Sequence, residues 1–155
     1  MLSSKLFKSI TAGALVLGFG VTLAFAAADD QIKARQAEMK ANGKAAGALA
    51  AIYKGDAPFE AAVVKANIDA MLAAEAAAGA AKAWDADSQN GATIETWAKP
   101  EIWTDGKGVE AAYNALVTAR TAVATATDEA SFKTAFEALG GACKDCHEKY
   151  RRPKG

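Results

Sequence analysis

Near the end of the chain two cysteines stand three residues apart, with a histidine directly after the second: Cys143-Lys144-Asp145-Cys146-His147. On a helix, residues three and four apart share a face, so both thiols and the imidazole would project together. Two sulfurs on one face can form thioethers with the two vinyl groups on one edge of a porphyrin, and the imidazole can reach the iron. The chain has two cysteines and one histidine in all, and every one of them lies in this motif.

Three other chemistries fit less well. A structural zinc site takes four Cys/His ligands, and this chain offers three at one place. A thioredoxin-like pair belongs at the N-terminus of a helix that follows a strand, where the helix dipole lowers a thiol pKa. Here the pair comes late in a helical pattern with no βαβ alternation before it. A disulfide across so short a loop would stabilise little. One covalent haem c accounts for all three residues.

The elements that must position this motif begin after a leader. Lys5 and Lys8 precede an apolar run from Ile10 to Phe25, and the run ends in Ala24-Phe25-Ala26-Ala27-Ala28 just before Asp29-Asp30. That pattern predicts a secretory signal peptide over residues 1–26, cleaved after Ala26 or Ala28, with one domain over 27–155. Export suits covalent haem attachment outside a bacterial inner membrane, so the expected compartment is the periplasm, without stable membrane insertion after cleavage. Removing the leader's two lysines leaves 16 basic against 18 acidic residues, a balance that gives no reason to expect a nucleic-acid partner.

The mature composition favours helices, with alanine dominant and lysine and glutamate filling in. Four amphipathic segments are expected. The first runs from about Asp29 to Tyr53, with Ile32, Gln36, Met39, Gly43, Ala46, Ala50 and Tyr53 on one face. The second starts near Asp56, with Pro58 in its first turn, and fades in the alanine run 73–83. Its face carries Phe59, Val63, Asn67, Ala70 and Ala74, with Val64, Ile68, Met71 and Leu72 beside it. A long loop from about Trp84 to Lys107 holds Trp84, Trp97 and Trp103, and either folds back over the core or plugs one end of it. The third helix runs from about Gly108 to Thr125, with Val109, Tyr113, Leu116, Arg120 and Val123 aligned. Asp128 caps a fourth, Glu129 to about Arg152, whose stripe is Phe132, Phe136, Leu139, Cys143, Cys146 and Tyr150. The expected fold is all-α, an antiparallel four-helix bundle with haem packed between the helices.

With His147 on one side of the iron, function turns on the other side. Met39 and Met71 are the two methionines beyond the leader. Met71 reads as core packing. In an antiparallel bundle Met39, early in the first helix, would meet the late part of the fourth. Were its sulfur to ligate iron, the His/Met pair would suit electron transfer; were it only to cover the iron, the haem would be five-coordinate and open to nitric oxide or carbon monoxide.

The chain resembles the class II c-type cytochromes, the cytochrome c-prime family with its low-spin relatives. The resemblance rests on the attachment motif near the C-terminus and its continuation His147-Glu148-Lys149-Tyr150-Arg151. It rests also on Arg35-Gln36-Ala37-Glu38-Met39, on the segment 54–59 and on Pro100-Glu101-Ile102-Trp103. It implies His147 as proximal ligand and Met39 over the distal iron. It also implies that Arg35 and Arg151 approach the haem propionates, and that a homodimer can form through the first two helices. The string at residues 39–43 looks more like the low-spin subgroup. The expectation is therefore a non-enzymatic carrier of single electrons between redox partner proteins, through a haem ligated by His147 and Met39. The alternative is a five-coordinate, gas-binding c-prime protein.

Overall fold

Strong helix formers fill the chain, and it holds three prolines in all. The computed structural model, which describes residues 19–91 and 93–153, is accordingly helical, and its one β-type pairing among the described residues is an isolated antiparallel bridge, Ala98 to Arg151. Its elements are α1 (Phe19–Lys54), α2 (Ala61–Ala80), a short 3-10 turn (Ala86–Gln89), α3 (Glu101–Thr104), α4 (Gly106–Ala124) and α5 (Glu129–Tyr150). The long helices α1 and α2 pack together, as do α4 and α5, while α2 meets α4 and α1 meets α5. These contacts close the expected four-helix bundle.

Several boundaries depart from the sequence reading. Most of the leader, residues 1–18, lies outside the described residues. From Phe19 onward α1 passes unbroken through both expected cleavage points, because alanine offers no stop signal. Asp29 therefore does not cap α1. It is buried inside the helix, and its carboxylate accepts from the Thr93 amide at 3.1 Å, the Thr93 hydroxyl at 2.5 Å and the Ile94 amide at 3.2 Å. The second helix starts at Ala61, past Asp56 and Pro58, with extended Glu60 at its N-cap. Gly55 takes φ +83°, the left-handed conformation that lets α1 end there. Asp105 caps α4 through the Gly108 amide, and Asp128 caps α5 through Ser131 in a reciprocal capping box. Helix α5 ends at Tyr150, two residues early, since Arg151 pairs with Ala98 and Arg152 precedes Pro153.

The core lies towards the end of the bundle where α1 turns into α2 and α4 into α5. Leu49, Ile52, Val64, Ile68, Val123, Phe132 and Leu139 are buried there, with Met71 among them as expected. Each large side chain so buried contributes about 1.5–3 kcal/mol. Phe59, Phe132, Phe136 and Tyr53 form a chain of ring contacts at 5.4–5.8 Å. The buried face of α1 is Ile32, Arg35, Glu38, Ala45, Leu49 and Ile52. That face is turned by about one residue, roughly 100°, from the predicted one. On α2 the buried line is Val64, Ile68, Met71 and Ala78, so Val63 and Leu72 face outward.

Candidate functional site

The helix that carries the motif is apolar where the core needs it. Phe132, Ala135 and Leu139 are buried, and one turn further on Cys143 packs against the edge of the same core. Cys143, Cys146 and His147 are all half-buried on this continuation of the stripe. Burial pushes the Cys143 thiol up, with Arg120 opposing, and pushes the Cys146 thiol up with help from Cys143. Burial pulls the His147 imidazole down, and Arg151 adds to this. A neutral imidazole keeps a nitrogen lone pair available to a metal.

Beyond Cys143 the hydrophobic core stops and a polar interior begins. Arg120 of α4 is 4% exposed and pairs with Glu75 of α2 at 2.6 Å. The second oxygen of Glu75 accepts from the Tyr113 hydroxyl at 2.5 Å. Burial works against ionisation of Glu75, yet the bonds from Tyr113 and Arg120 hold its carboxyl below the usual range. Glu38 of α1 is buried too; desolvation pushes its carboxyl up, against a 2.9 Å hydrogen bond from the Trp84 indole. A cavity of about 300 Å³ lies between α1 and α2, lined by Ala34, Ala37, Glu38, Ala74, Ala77 and Ala78. That is the lower end of the range for small-molecule clefts, and its lining is almost all methyl groups. The alanine run of α2 thus leaves a groove, open to solvent, where larger side chains would fill the space against α1.

The long loop does fold back onto α1. Arg35 is buried and donates to the Ala83 carbonyl at 2.6 Å, the Ser88 hydroxyl at 2.9 Å, the Ser88 carbonyl at 3.0 Å and the Thr96 hydroxyl at 3.0 Å. Its guanidinium also lies 5.2 Å from the Trp84 ring and 5.4 Å from the Trp103 ring. Both terminal nitrogens are thereby committed to the loop. Arg151 is exposed, and its backbone joins the bridge to Ala98. The end of α5 is clamped to the loop from several sides. The Lys99 ammonium donates to the Glu148 and Lys149 carbonyls at 3.1 and 3.0 Å, the Lys99 amide donates to the Tyr150 carbonyl at 2.9 Å, and Arg152 bonds Thr96 and Trp97. Asp105 holds Lys149 at 2.7 Å and the Tyr150 hydroxyl at 2.8 Å.

The structure thus groups Cys143, Cys146 and His147 on one face, buries Arg35 in the loop and leaves Met39 37% exposed, outside the buried line of α1. Sequence reasoning missed Glu38, Glu75 and the clamp residues Lys99 and Asp105. Arg120 carried a signal, since it stood in line with Leu116 and Val123 where an apolar residue belongs.

A four-helix bundle with a Cys-x-x-Cys-His motif on its last helix defines a class II c-type cytochrome. A sequence model of the family described as Cytochrome C' matches residues 30–151, and the chain belongs to that family. It is 36% identical over 151 residues to "Cytochrome c'" of Rhodopseudomonas palustris, covering 97% of this chain and 99% of the relative. It is 37% identical over 150 residues to "Cytochrome c-556" of Agrobacterium fabrum, covering 95% and 97%. The crystal structure of cytochrome c' from Rubrivivax gelatinosus superposes with a TM-score of 0.70 at 30% identity, covering 81% of this chain and 97% of that one. A ferrous variant of cytochrome c prime from Alcaligenes xylosoxidans with bound NO gives 0.70 at 28% identity, covering 82% and 97%.

As a member of this family the protein carries covalently bound haem c, and the residues present fit it: two half-buried thiols and a half-buried imidazole on one face of α5. The expectation of a His147/Met39 electron carrier is corrected. The matching family is cytochrome c', solved relatives hold nitric oxide, and the low-spin leaning drawn from residues 39–43 finds no support. The physical reason is the face of α1: helical periodicity alone put Met39 on the seam, whereas Arg35 and Glu38 take the buried line beside it. Among the described residues no helix is long and apolar enough to cross a membrane.

Proposed function

We propose that this protein is a periplasmic cytochrome c' whose haem is joined to Cys143 and Cys146, takes His147 as proximal ligand, and leaves its iron five-coordinate and high-spin for nitric oxide or carbon monoxide. The observation that carries the reading is that Met39 lies off the buried line of α1, with Met71 packed in the apolar core. Both positions support a haem without a sulfur as sixth ligand, and the chain has no second histidine. The NO-bound relatives support it.

When bound, the haem supplies an iron with one open position for a diatomic gas. The chain's part is mechanical and electrostatic. Cys143 and Cys146 would hold one porphyrin edge, and the i, i+4 geometry of α5 would bring His147 to the same side. Burial favours the neutral imidazole, and the clamp on residues 148–152 fixes the helix end that carries it. Removal of residues 1–26 before folding, a bundle over 27–155 and pairing of two copies through α1 and α2 belong to the same reading. Val63 and Leu72, 43% and 46% exposed on α2, support the pairing.

Absorption spectra of the purified protein test the ligation. A broad high-spin Soret band, and a ferrous form that binds carbon monoxide, are expected. Met39→Ala should leave both unchanged. Sharp, split low-spin bands that vanish in Met39→Ala would overturn the five-coordinate reading.

A further inference from the structure

The last four carbonyls of an α-helix have no partner within the helix, so something else must satisfy them. In α5 these belong to residues 147–150, the turn that carries His147. The His147 carbonyl accepts from the Arg151 amide at 3.0 Å. The other three are all taken by one residue of the long loop. The Lys99 ammonium donates to the Glu148 and Lys149 carbonyls at 3.1 and 3.0 Å, and the Lys99 amide donates to the Tyr150 carbonyl at 2.9 Å.

Helix α1 ends differently, closed locally by Gly55 in the left-handed conformation. After Tyr150 come Arg151, Arg152 and Pro153, with no glycine among them to turn back on the helix. Helix α5 therefore takes its cap from a segment that lies 49 residues before Glu148. Lys99 is fixed on both sides for this task. Ala98 before it bridges to Arg151, and Pro100 after it favours extended backbone at Lys99. The Lys99 carbonyl in turn accepts from the Ile102 amide at 3.1 Å. An ammonium placed here also meets the negative end of the helix dipole. Asp105 grips the same turn through the Lys149 and Tyr150 side chains and leaves the carbonyls to Lys99.

We propose that Lys99 is a positioning residue for the iron ligand: by capping the last turn of α5 it holds the backbone that presents His147 to the haem iron. The inference rests on the haem site assigned above and adds to it the residue on which the proximal bond depends. Its physics is helix fraying, which starts at the terminal turn, and His147 lies within one turn of the C-cap Arg151. Groups that orient a ligand tune the metal bond without touching the metal.

Lys99→Met tests this, because it removes the two ammonium bonds and keeps the backbone bond to Tyr150. Those ammonium bonds are exposed, so the variant is expected to fold. Resonance Raman spectra of the ferrous, haem-loaded protein read the iron–histidine stretching band, and hydrogen exchange reads the Arg151 amide. Lys99→Met should lower and broaden the band and speed that exchange on the order of 10-fold, the worth of about one hydrogen bond. Lys99→Arg, which keeps a cation with several donors, should leave both near their starting values. Both changes together in Lys99→Met support the inference. A band that stays put, even with a lower Tm, overturns it, and so does unchanged exchange. A starting protein that is low-spin and lacks the band would refute the five-coordinate reading instead. The absorption spectrum would then decide: a high-spin fraction appearing in Lys99→Met supports the role of Lys99, and an unchanged low-spin spectrum overturns it.

Discussion

Replacing Arg35 by leucine tests whether this arginine is chiefly the pin between α1 and the long loop. The side chain is 4% exposed, so its loss is felt in full. Its four acceptors are not equally dependent on it. The Ala83 carbonyl also accepts from the Ser88 hydroxyl at 3.2 Å, and the Thr96 hydroxyl oxygen also accepts from the Ala98 amide at 3.2 Å. Among the described residues no second donor is seen for the Ser88 carbonyl, so it is the group left bare, at a cost of about 1–3 kcal/mol. Two cation–π contacts, to Trp84 and Trp103, add roughly 0.5–2 kcal/mol each. Relief of guanidinium desolvation works the other way. The terms sum to about 2–7 kcal/mol before that relief, for a net loss of about 2–5 kcal/mol, or on the order of 5–20 °C in Tm for a chain of this size. Urea and thermal unfolding of the ferric, haem-loaded protein, followed by circular dichroism, would measure it. Arg35→Lys should recover less than half, because one ammonium cannot reach four acceptors spread over residues 83–96. A loss below about 1 kcal/mol, the scale of a surface substitution, would show that the pin is not what holds the loop.

Two further perturbations address the same frame. The Asp105 carboxyl is lowered to about 2, chiefly by the Lys149 ammonium and then by Tyr150 and the Gly108 amide. A depressed carboxylate contributes stability above its unfolded value near 3.8 and loses it as pH falls towards about 2, so Asp105→Asn should flatten the acid limb of a stability-against-pH curve between those values; an unaltered acid limb would refute the clamp. Gly91→Ala would drive a methyl group into the Asp29 carboxylate and within 2.9 Å of the Ile94 carbonyl, so it should loosen the loop and lower Tm, and hydrogen exchange at the Thr93 and Ile94 amides should speed up; unchanged exchange there would count against the Asp29 anchor.

Much of this molecule was legible in the residues taken alone. Two cysteines and a lone histidine at helical spacing point to covalent haem because the porphyrin's two vinyl groups demand that separation, whatever the surroundings. The bundle follows from four alanine-rich amphipathic segments, and the capping of α5 by Asp128 follows from local chemistry. What remained open was rotation and partnership. Whether α1 presents Met39 or Glu38 inward depends on about 100° about its axis. In an alanine-rich helix the apolar stripe is too faint to settle that. The choice falls to Arg35, which finds its acceptors in a loop some fifty residues away, and to Glu38, which finds Trp84 there. Likewise Arg120 reads as an anomaly in a leucine position until Glu75 is seen beside it on another helix. The sequence by itself determined the haem and the bundle, because both rest on short-range spacing. Tertiary structure decided which side chains of α1 and α4 are buried, because that rests on charges paired across the chain.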